Sequence, residues 1–352
     1  MKRRTFLAAA AGGALAAQGA AAGGGPAAQG AAAPKLGVDL FSLRTQGWTA
    51  FQHLDYCAKF QAKTVHFSEI RFLGSLEPDH LKKVREHAGR MGVEIEIGMR
   101  SICPTSRAFD AKQGTAEEQL LRVAEAAATI GAPLVRAFLG TMADRLGPVP
   151  IEGHIENVAR VLRNVRSRVV DKGLKVAIEN HAGDMQAREL KTLIEAAGKD
   201  FVGACIDCGN PLWAIEDPHL TLETLSPYVL TSHVRDSYVW KTPEGAAVQW
   251  VRSGEGNVGI GEWMKKFVAL CPGKAMSLEI IVIGARRFPY LDPAFWQAYR
   301  NTPAWEFSRF LAIAEKGAPR PDRPPVPKDK AAEVEREDFE ASHRYTRELL
   351  GA

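Results

Sequence analysis

From Lys35 to about Gly317 the chain alternates short, β-branched apolar runs with longer stretches whose apolar residues recur every three or four positions. The first pattern suits buried strands and the second amphipathic helices, and their alternation is the signature of βα units around a parallel sheet. Eight runs read as strands: Lys35–Phe41, Lys63–Ser68, Val93–Met99, Leu134–Leu139, Lys175–Glu179, Val202–Asp207, Val229–Val234 and Ala275–Ile281. Helical stretches between them include Pro78–Met91, Ala116–Ile130, Ile151–Lys172 and Gln186–Ala197. Eight repeats favour an α/β fold of the closed (β/α)8 barrel type over an open doubly wound sheet. The glycines from Gly254 to Gly259 come late and follow no predicted strand, so they read as a loop and not as a dinucleotide-binding turn. The Pro-rich segment Ala318–Pro327 ends the barrel, and Lys328–Leu349 reads as a charged terminal helix packed across the barrel or a neighbour. The expected organisation is residues 1–34, a barrel over 35–317, and a connection plus helix over 318–352.

The segment before Lys35 has a different pattern. A basic head precedes a mild apolar stretch, Phe6–Ala17, and small residues suited to cleavage follow. Arg3-Arg4-Thr5-Phe6-Leu7 resembles the twin-arginine export signal of bacteria, which implies a periplasmic or secreted protein. Residues 18–34 are rich in Ala and Gly and too poor in large apolar groups to fold. Composition fits a globular chain: 352 residues, 46% hydrophobic and 24% charged, can bury a substantial core. The formal charge of +4 sits mostly in the head, since without Lys2, Arg3 and Arg4 the basic and acidic side chains number 42 and 41. That balance gives no support to nucleic-acid binding. No later apolar run reaches the roughly 20 residues needed to span a bilayer. Five cysteines make no disulfide framework, and Cys205 and Cys208, with Asp207 between them, read as packing residues and not as a metal or redox pair.

Candidate chemistry lies at the strand ends. The fifth strand closes in Ile178-Glu179-Asn180-His181, the sixth in Ile206-Asp207-Cys208-Gly209-Asn210 and the seventh in Ser232-His233-Val234-Arg235-Asp236, while the eighth holds Ser277-Leu278-Glu279-Ile280. Taken singly, a strand Glu is a salt-bridge partner and a lone His a satisfied core group. Together, Glu179, Asp207, His233 and Glu279 fall at equivalent places on successive strands, where inward side chains converge on the usual active-site mouth of a barrel. Strand alternation turns Ala177, Cys205, Thr231 and Ser277 inward beneath them, and these are small enough to leave room. Three buried acids without partners are costly, so a divalent cation is the expected compensation. Three carboxylates and one imidazole suit manganese or magnesium first, with cobalt or zinc also accommodated.

With these phrases in view the chain resembles the xylose isomerase-like barrel superfamily, in its sugar isomerase/epimerase branch, over roughly Lys35 to Ala314. The likeness rests on the Glu, Asp, His, Glu order and the local phrases IEN, DxGN and HVRD. It implies that Glu179 and Glu279 both bind the metal and act as acid/base groups on opposite faces of a sugar, and that Asp207 and His233 are ligands only. Asn210 departs from the branch, many of whose members carry a histidine there, which puts the substrate contact at that position in doubt. His181, Arg235 and Asp236 are secondary candidates for sugar hydroxyls, as are Arg136 and Glu69, which read equally as a structural ion pair. Trp213, Trp240, Trp250, Phe288 and Tyr290 either stack on a sugar or pack their loops down. The expected function is a metal-dependent isomerase or epimerase acting through an enediolate on a ketose or related carbohydrate. The alternatives are a lyase cleaving 3-keto-glycosides by β-elimination and a non-catalytic carbohydrate-binding barrel. The expected partner is a small carbohydrate, with a homo-oligomer also compatible. The superfamily's DNA-repair endonucleases need further metal-binding histidines, and Asn210 and the near-neutral charge argue against them.

Overall fold

The structure, a computed structural model, describes residues 34–351; the export-signal reading concerns residues that lie outside this range. Eleven strands occur in the described chain: β1 (Lys35–Asp39), β2 (Thr64–Phe67), β3 (Glu94–Ser101), β4 (Leu134–Phe138), β5 (Lys175–Glu179), β6 (Val202–Asp207), β7 (Val229–Val234), β8 (Asp236–Thr242), β9 (Gly245–Val251), β10 (Ala275–Leu278) and β11 (Arg286–Phe288). The first seven and β10 close into one barrel, each strand parallel to both neighbours. This is the expected (β/α)8 barrel, and helices such as Ala116–Ile130 and Ile151–Val170 cover its outer wall. The first of these starts at a capping box between Thr115 and Glu118 and stops at Gly131, whose φ of 79° admits the left-handed turn. Leu120, Val123, Ala124 and Ala127 recur at helical spacing and are buried.

Strand ends differ from the sequence reading where side chains take over the backbone's hydrogen bonds. β1 stops at Asp39 because its carboxylate accepts from the Phe41 N–H at 2.8 Å and starts a tight helical turn over Leu40–Leu43. β10 stops at Leu278, three residues early: Ser42 Oγ donates to the Leu278 carbonyl at 3.0 Å and accepts from the Ile280 N–H at 2.7 Å. One hydroxyl thereby ties the chain's first barrel strand to its last.

The largest departure lies between β7 and β10. There β8 and β9, joined by β11 from beyond β10, form a separate antiparallel sheet in the order β11-β9-β8, where the sequence reading expected loops. The glycine segment Gly254–Gly259 therefore does follow a strand, and the helix Ile260–Leu270 comes next, but that strand is antiparallel and makes no βαβ unit. Asp236 organises the segment by accepting from the N–H groups of Gly254 and Gly256, both at 2.9 Å.

The terminal helix runs over Ala331–Leu350 and packs on the chain's own first turn and first helix. Phe339 is fully buried against Phe60 and Tyr56. Glu335 pairs with Arg44 at 3.2 Å and accepts from the Thr45 N–H at 2.9 Å. Among the described residues no helix is long and apolar enough to cross a membrane.

Candidate functional site

Parallel register brings the four expected residues together. Asp207 is level with His233, His233 with Ser277, and Glu179 with Cys205, while Glu279 follows β10 directly and is held by its N–H donating to the Val234 carbonyl at 3.0 Å. One donor atom from each of Glu179, Asp207, His233 and Glu279 lies within 4.8 Å of the others, and all four residues are buried. His233 Nδ1 is 3.2 Å from Glu179 and 3.3 Å from Glu279, yet it makes no hydrogen bond. An unbonded buried imidazole nitrogen facing two carboxylates is the arrangement a cation would complete. This buried cluster of acids and histidine could hold a metal ion.

The acids are not unpaired, which corrects the electrostatic argument made from the sequence. Arg136 on β4 pairs with Glu179, and Arg235, just after β7, pairs with both Asp207 and Glu279. Burial works against ionisation of Glu179, but the Arg136 guanidinium and His233 hold it well below the usual carboxylate range. Burial raises Asp207 despite Arg235. Asp207 also accepts from the N–H groups of Gly209 at 2.7 Å and Asn210 at 2.8 Å, and Asn210 Nδ2 donates to Glu179 at 3.1 Å. Arg136 therefore pairs with a different glutamate from Glu69, which binds Arg71 and lies 3.9 Å from Arg100. Gly209 makes room for Arg235, because a Cβ there would lie 2.4 Å from the Arg235 Cγ.

Beneath this layer lies a second polar group that sequence reasoning missed. Ala177, Cys205, Thr231 and Ser277 are small and buried as expected, but longer side chains from the opposite wall take up the space. His66 Nδ1 on β2 lies 3.1 Å from His233 Nε2, and Asp39 on β1 lies 3.2 Å from the same nitrogen. Glu96 on β3 accepts from Thr231 Oγ1 at 2.6 Å. Burial pushes His66 down to about 3 and Glu96 up to about 7. The available signal was polar residues embedded in short β-branched runs, Thr-Val-His-Phe and Glu-Ile-Glu-Ile.

Above the cluster opens a cavity of about 340 Å3, lined in part by Glu69, Arg136, His181, Asn210, Arg235 and Glu279. His181 stacks on Phe138 at 3.8 Å between ring centres and shares a 2.7 Å hydrogen bond with the Gly140 carbonyl; burial pushes it down to about 4. Asp236 does not reach the cavity: its carboxylate is engaged by the glycine loop. Of the five aromatic candidates, Trp213 and Trp250 line the wall, stacked at 4.0 Å and 1° between planes. Trp240, Phe288 and Tyr290 are buried outside it.

The profile of the xylose isomerase-like TIM barrel family matches residues 51–290. The chain belongs to that family. It is 27% identical over 137 residues to the uncharacterized protein YihM of Escherichia coli K12, covering 38% of each chain. It is 23% identical over 183 residues to a 3-oxo-isoapionate decarboxylase of Pectobacterium atrosepticum, covering 52% of this chain and 59% of that one. The matches thus span less than two thirds of either curated relative. Among solved structures it is similar to a D-psicose 3-epimerase of Clostridium cellulolyticum H10 crystallised with D-tagatose, at a TM-score of 0.59 and 11% identity, covering 90% of this chain and 99% of that one. As in other barrels, the convergent polar groups sit where the C-terminal ends of the strands open, which is where chemistry develops on this fold. Among the described residues all five cysteines are free and buried, and the Cys208 sulfur bonds the Arg235 backbone.

Proposed function

We propose that this xylose isomerase-like barrel is a divalent-metal-dependent enzyme that relocates a proton on a carbonyl sugar, as a sugar isomerase or epimerase does. The observation that carries the reading is the convergence of Glu179, Asp207, His233 and Glu279 around an unbonded His233 Nδ1 at the floor of the mouth. Those four residues would hold the ion, with manganese or magnesium preferred by three carboxylates and cobalt or zinc accommodated. When bound, it supplies Lewis-acid polarisation of a carbonyl and its neighbouring hydroxyl. Glu179, kept ionised by Arg136 and steadied by Asn210, is ready to take a proton from the carbon beside the carbonyl. Glu279 serves as the second carboxylate, returning a proton from the other side. Arg235, in contact with Asp207 and Glu279, offsets negative charge as it develops. The stacked Trp213 and Trp250 limit water at the wall. The residues before the barrel support action outside the cytoplasm after twin-arginine export, where the substrate is a free and not a phosphorylated sugar.

A second reading is supported by the partial match to a decarboxylase of a 3-oxo sugar acid. In that reading the same acid/base groups serve a lyase, and a fragment leaves in place of epimerisation. The test is NMR in deuterated water with magnesium-loaded protein and a panel of ketoses, 3-keto-glycosides and 3-keto sugar acids. Solvent deuterium entering beside the carbonyl with an epimer formed supports the isomerase, and release of an aglycone or carbon dioxide supports the lyase. Absence of exchange and of cleavage throughout the panel overturns both.

A further inference from the structure

The charged groups lining the mouth are unequal. Arg44, Arg100, Arg136, Arg235 and Arg286 face only two carboxylates, Glu69 and Glu279. Four of the guanidiniums are matched by acids within or just beyond the wall: Arg136 by Glu179, Arg235 by Asp207 and Glu279, Arg44 by Glu335, and Arg100 by Glu69. Arg286, on β11, pairs with no carboxylate among the described residues, and its side chain makes no hydrogen bond there. It is held in place by stacking alone: its guanidinium carbon lies 3.8 Å from the centre of the Trp213 ring. Trp213 lies against Trp250, and Trp250 carries Arg235 on its other face at 4.3 Å. The order Arg286, Trp213, Trp250, Arg235 is a continuous stack, with the acid-bearing floor at one end and an unmatched cation at the other.

We infer that the mouth takes a sugar acid and that Arg286 binds its carboxylate. A guanidinium lying on an indole face keeps its N–H edge free, and that flat fork matches a carboxylate through two parallel hydrogen bonds. Stacking fixes the side chain beforehand, so less rotamer entropy is lost when the anion binds. The fork can grip a phosphate as well, but a phosphate site calls on several converging donors, and among the described residues Arg286 is the one guanidinium of the mouth without a carboxylate partner. A second observation points to a ligand at the same wall. Trp213 is 4% exposed, lines the cavity, and its Nε1 donor has no partner.

This inference rests on the mouth being the substrate site and not on proton transfer, so a binding measurement tests it separately. The full chain, loaded with magnesium, is titrated calorimetrically with hexuronates, aldonates and ketoaldonates, each against its neutral counterpart, and with the matching sugar phosphates. At least one acid is expected to bind tenfold or more tightly than its neutral partner. Arg286→Gln should erase that preference while leaving neutral-sugar affinity unchanged, and Arg286→Lys should keep a smaller, more salt-sensitive part of it. An equal melting temperature for the Lys variant and the parent separates loss of the anion contact from loss of the stack. Three results overturn the inference: no acid preferred in the parent, a preference that survives Arg286→Gln, or phosphates bound more tightly than every acid. Deuterium exchange on neutral ketoses remains the test of the proton-transfer reading, and either result can fail alone.

Discussion

Arg136 and Arg235 decide what the buried carboxylates can do. Arg136 keeps Glu179 ionised in a dry site and so able to accept a proton, whereas burial raises Asp207 even beside Arg235. Replacing Glu179 or Glu279 by Gln keeps an oxygen and nearly the same volume but removes the basic group. With metal in excess, turnover should fall roughly 10²- to 10⁴-fold in either variant while the ion still binds more weakly, as steady-state rates and metal content will show. His233→Gln should act through metal affinity instead, so added metal restores part of the rate. Near-native turnover in both fully loaded glutamate variants would sink the two-carboxylate mechanism. These four residues were legible in the sequence because each lies at or just past the C-terminal end of a parallel barrel strand, so successive repeats bring them to about the same height. His66 and Glu96 were not, because a polar residue inside a strand has the same pattern whether it meets solvent, a salt bridge or another strand's histidine; Asp39 ends β1, but reading that strand on to Phe41 placed it short of the strand end.

At the scale of elements, packing and capping make separate contributions. Phe339 anchors the terminal helix on Phe60 and Tyr56, and Phe339→Ala should destabilise the chain by about 3 kcal/mol, the usual cost of emptying an aromatic core site. A denaturation midpoint within error of the parent would show that the helix is only laid on the surface. Glu216 caps the helix Ala187–Ala197, accepting from the Ala187 N–H at 3.1 Å and from Thr221 at 2.6 Å. Burial pushes its carboxyl up from 4.5 to about 8. The folded chain then keeps the proton over a range where the unfolded chain has lost it, so stability declines as pH rises from about 4.5 to about 8. Glu216→Gln should remove that decline, melting above the parent at pH 8 and close to it at pH 5; an offset unchanged between the two would refute the assignment. The barrel helices and strands were readable from periodicity, three strands and one helix to the residue. The sheet of β8, β9 and β11 was not, because aromatic and β-branched residues in a long connection carry no sign of whether they pair with each other or pack against the barrel.

The whole molecule shows how far charge balance substitutes for a bound ion. The sequence reading has the acids tolerated through a cation, whereas the two arginines already neutralise much of them. Chelation should therefore abolish exchange yet leave a folded barrel. The loss in stability is set by mass action, about 2.7 kcal/mol when the free metal had been a hundredfold above its dissociation constant. Calorimetry with and without chelator should show a drop of a few degrees; collapse of the cooperative transition would mean that the ion holds the fold together. Arg286 lies on β11, in a sheet outside the barrel, while the four acid and histidine groups lie on or directly after barrel strands. Recognition and chemistry are thus carried by different pieces of chain, which meet at Trp250, stacked on Trp213, lying against Arg235 and donating to the Gly209 carbonyl. A change in β11 can retune which sugar is chosen without touching the acids and histidine of the floor. The inserted sheet is accordingly the place where exchange between relatives, or directed evolution, would redirect selectivity at least risk to the catalytic floor.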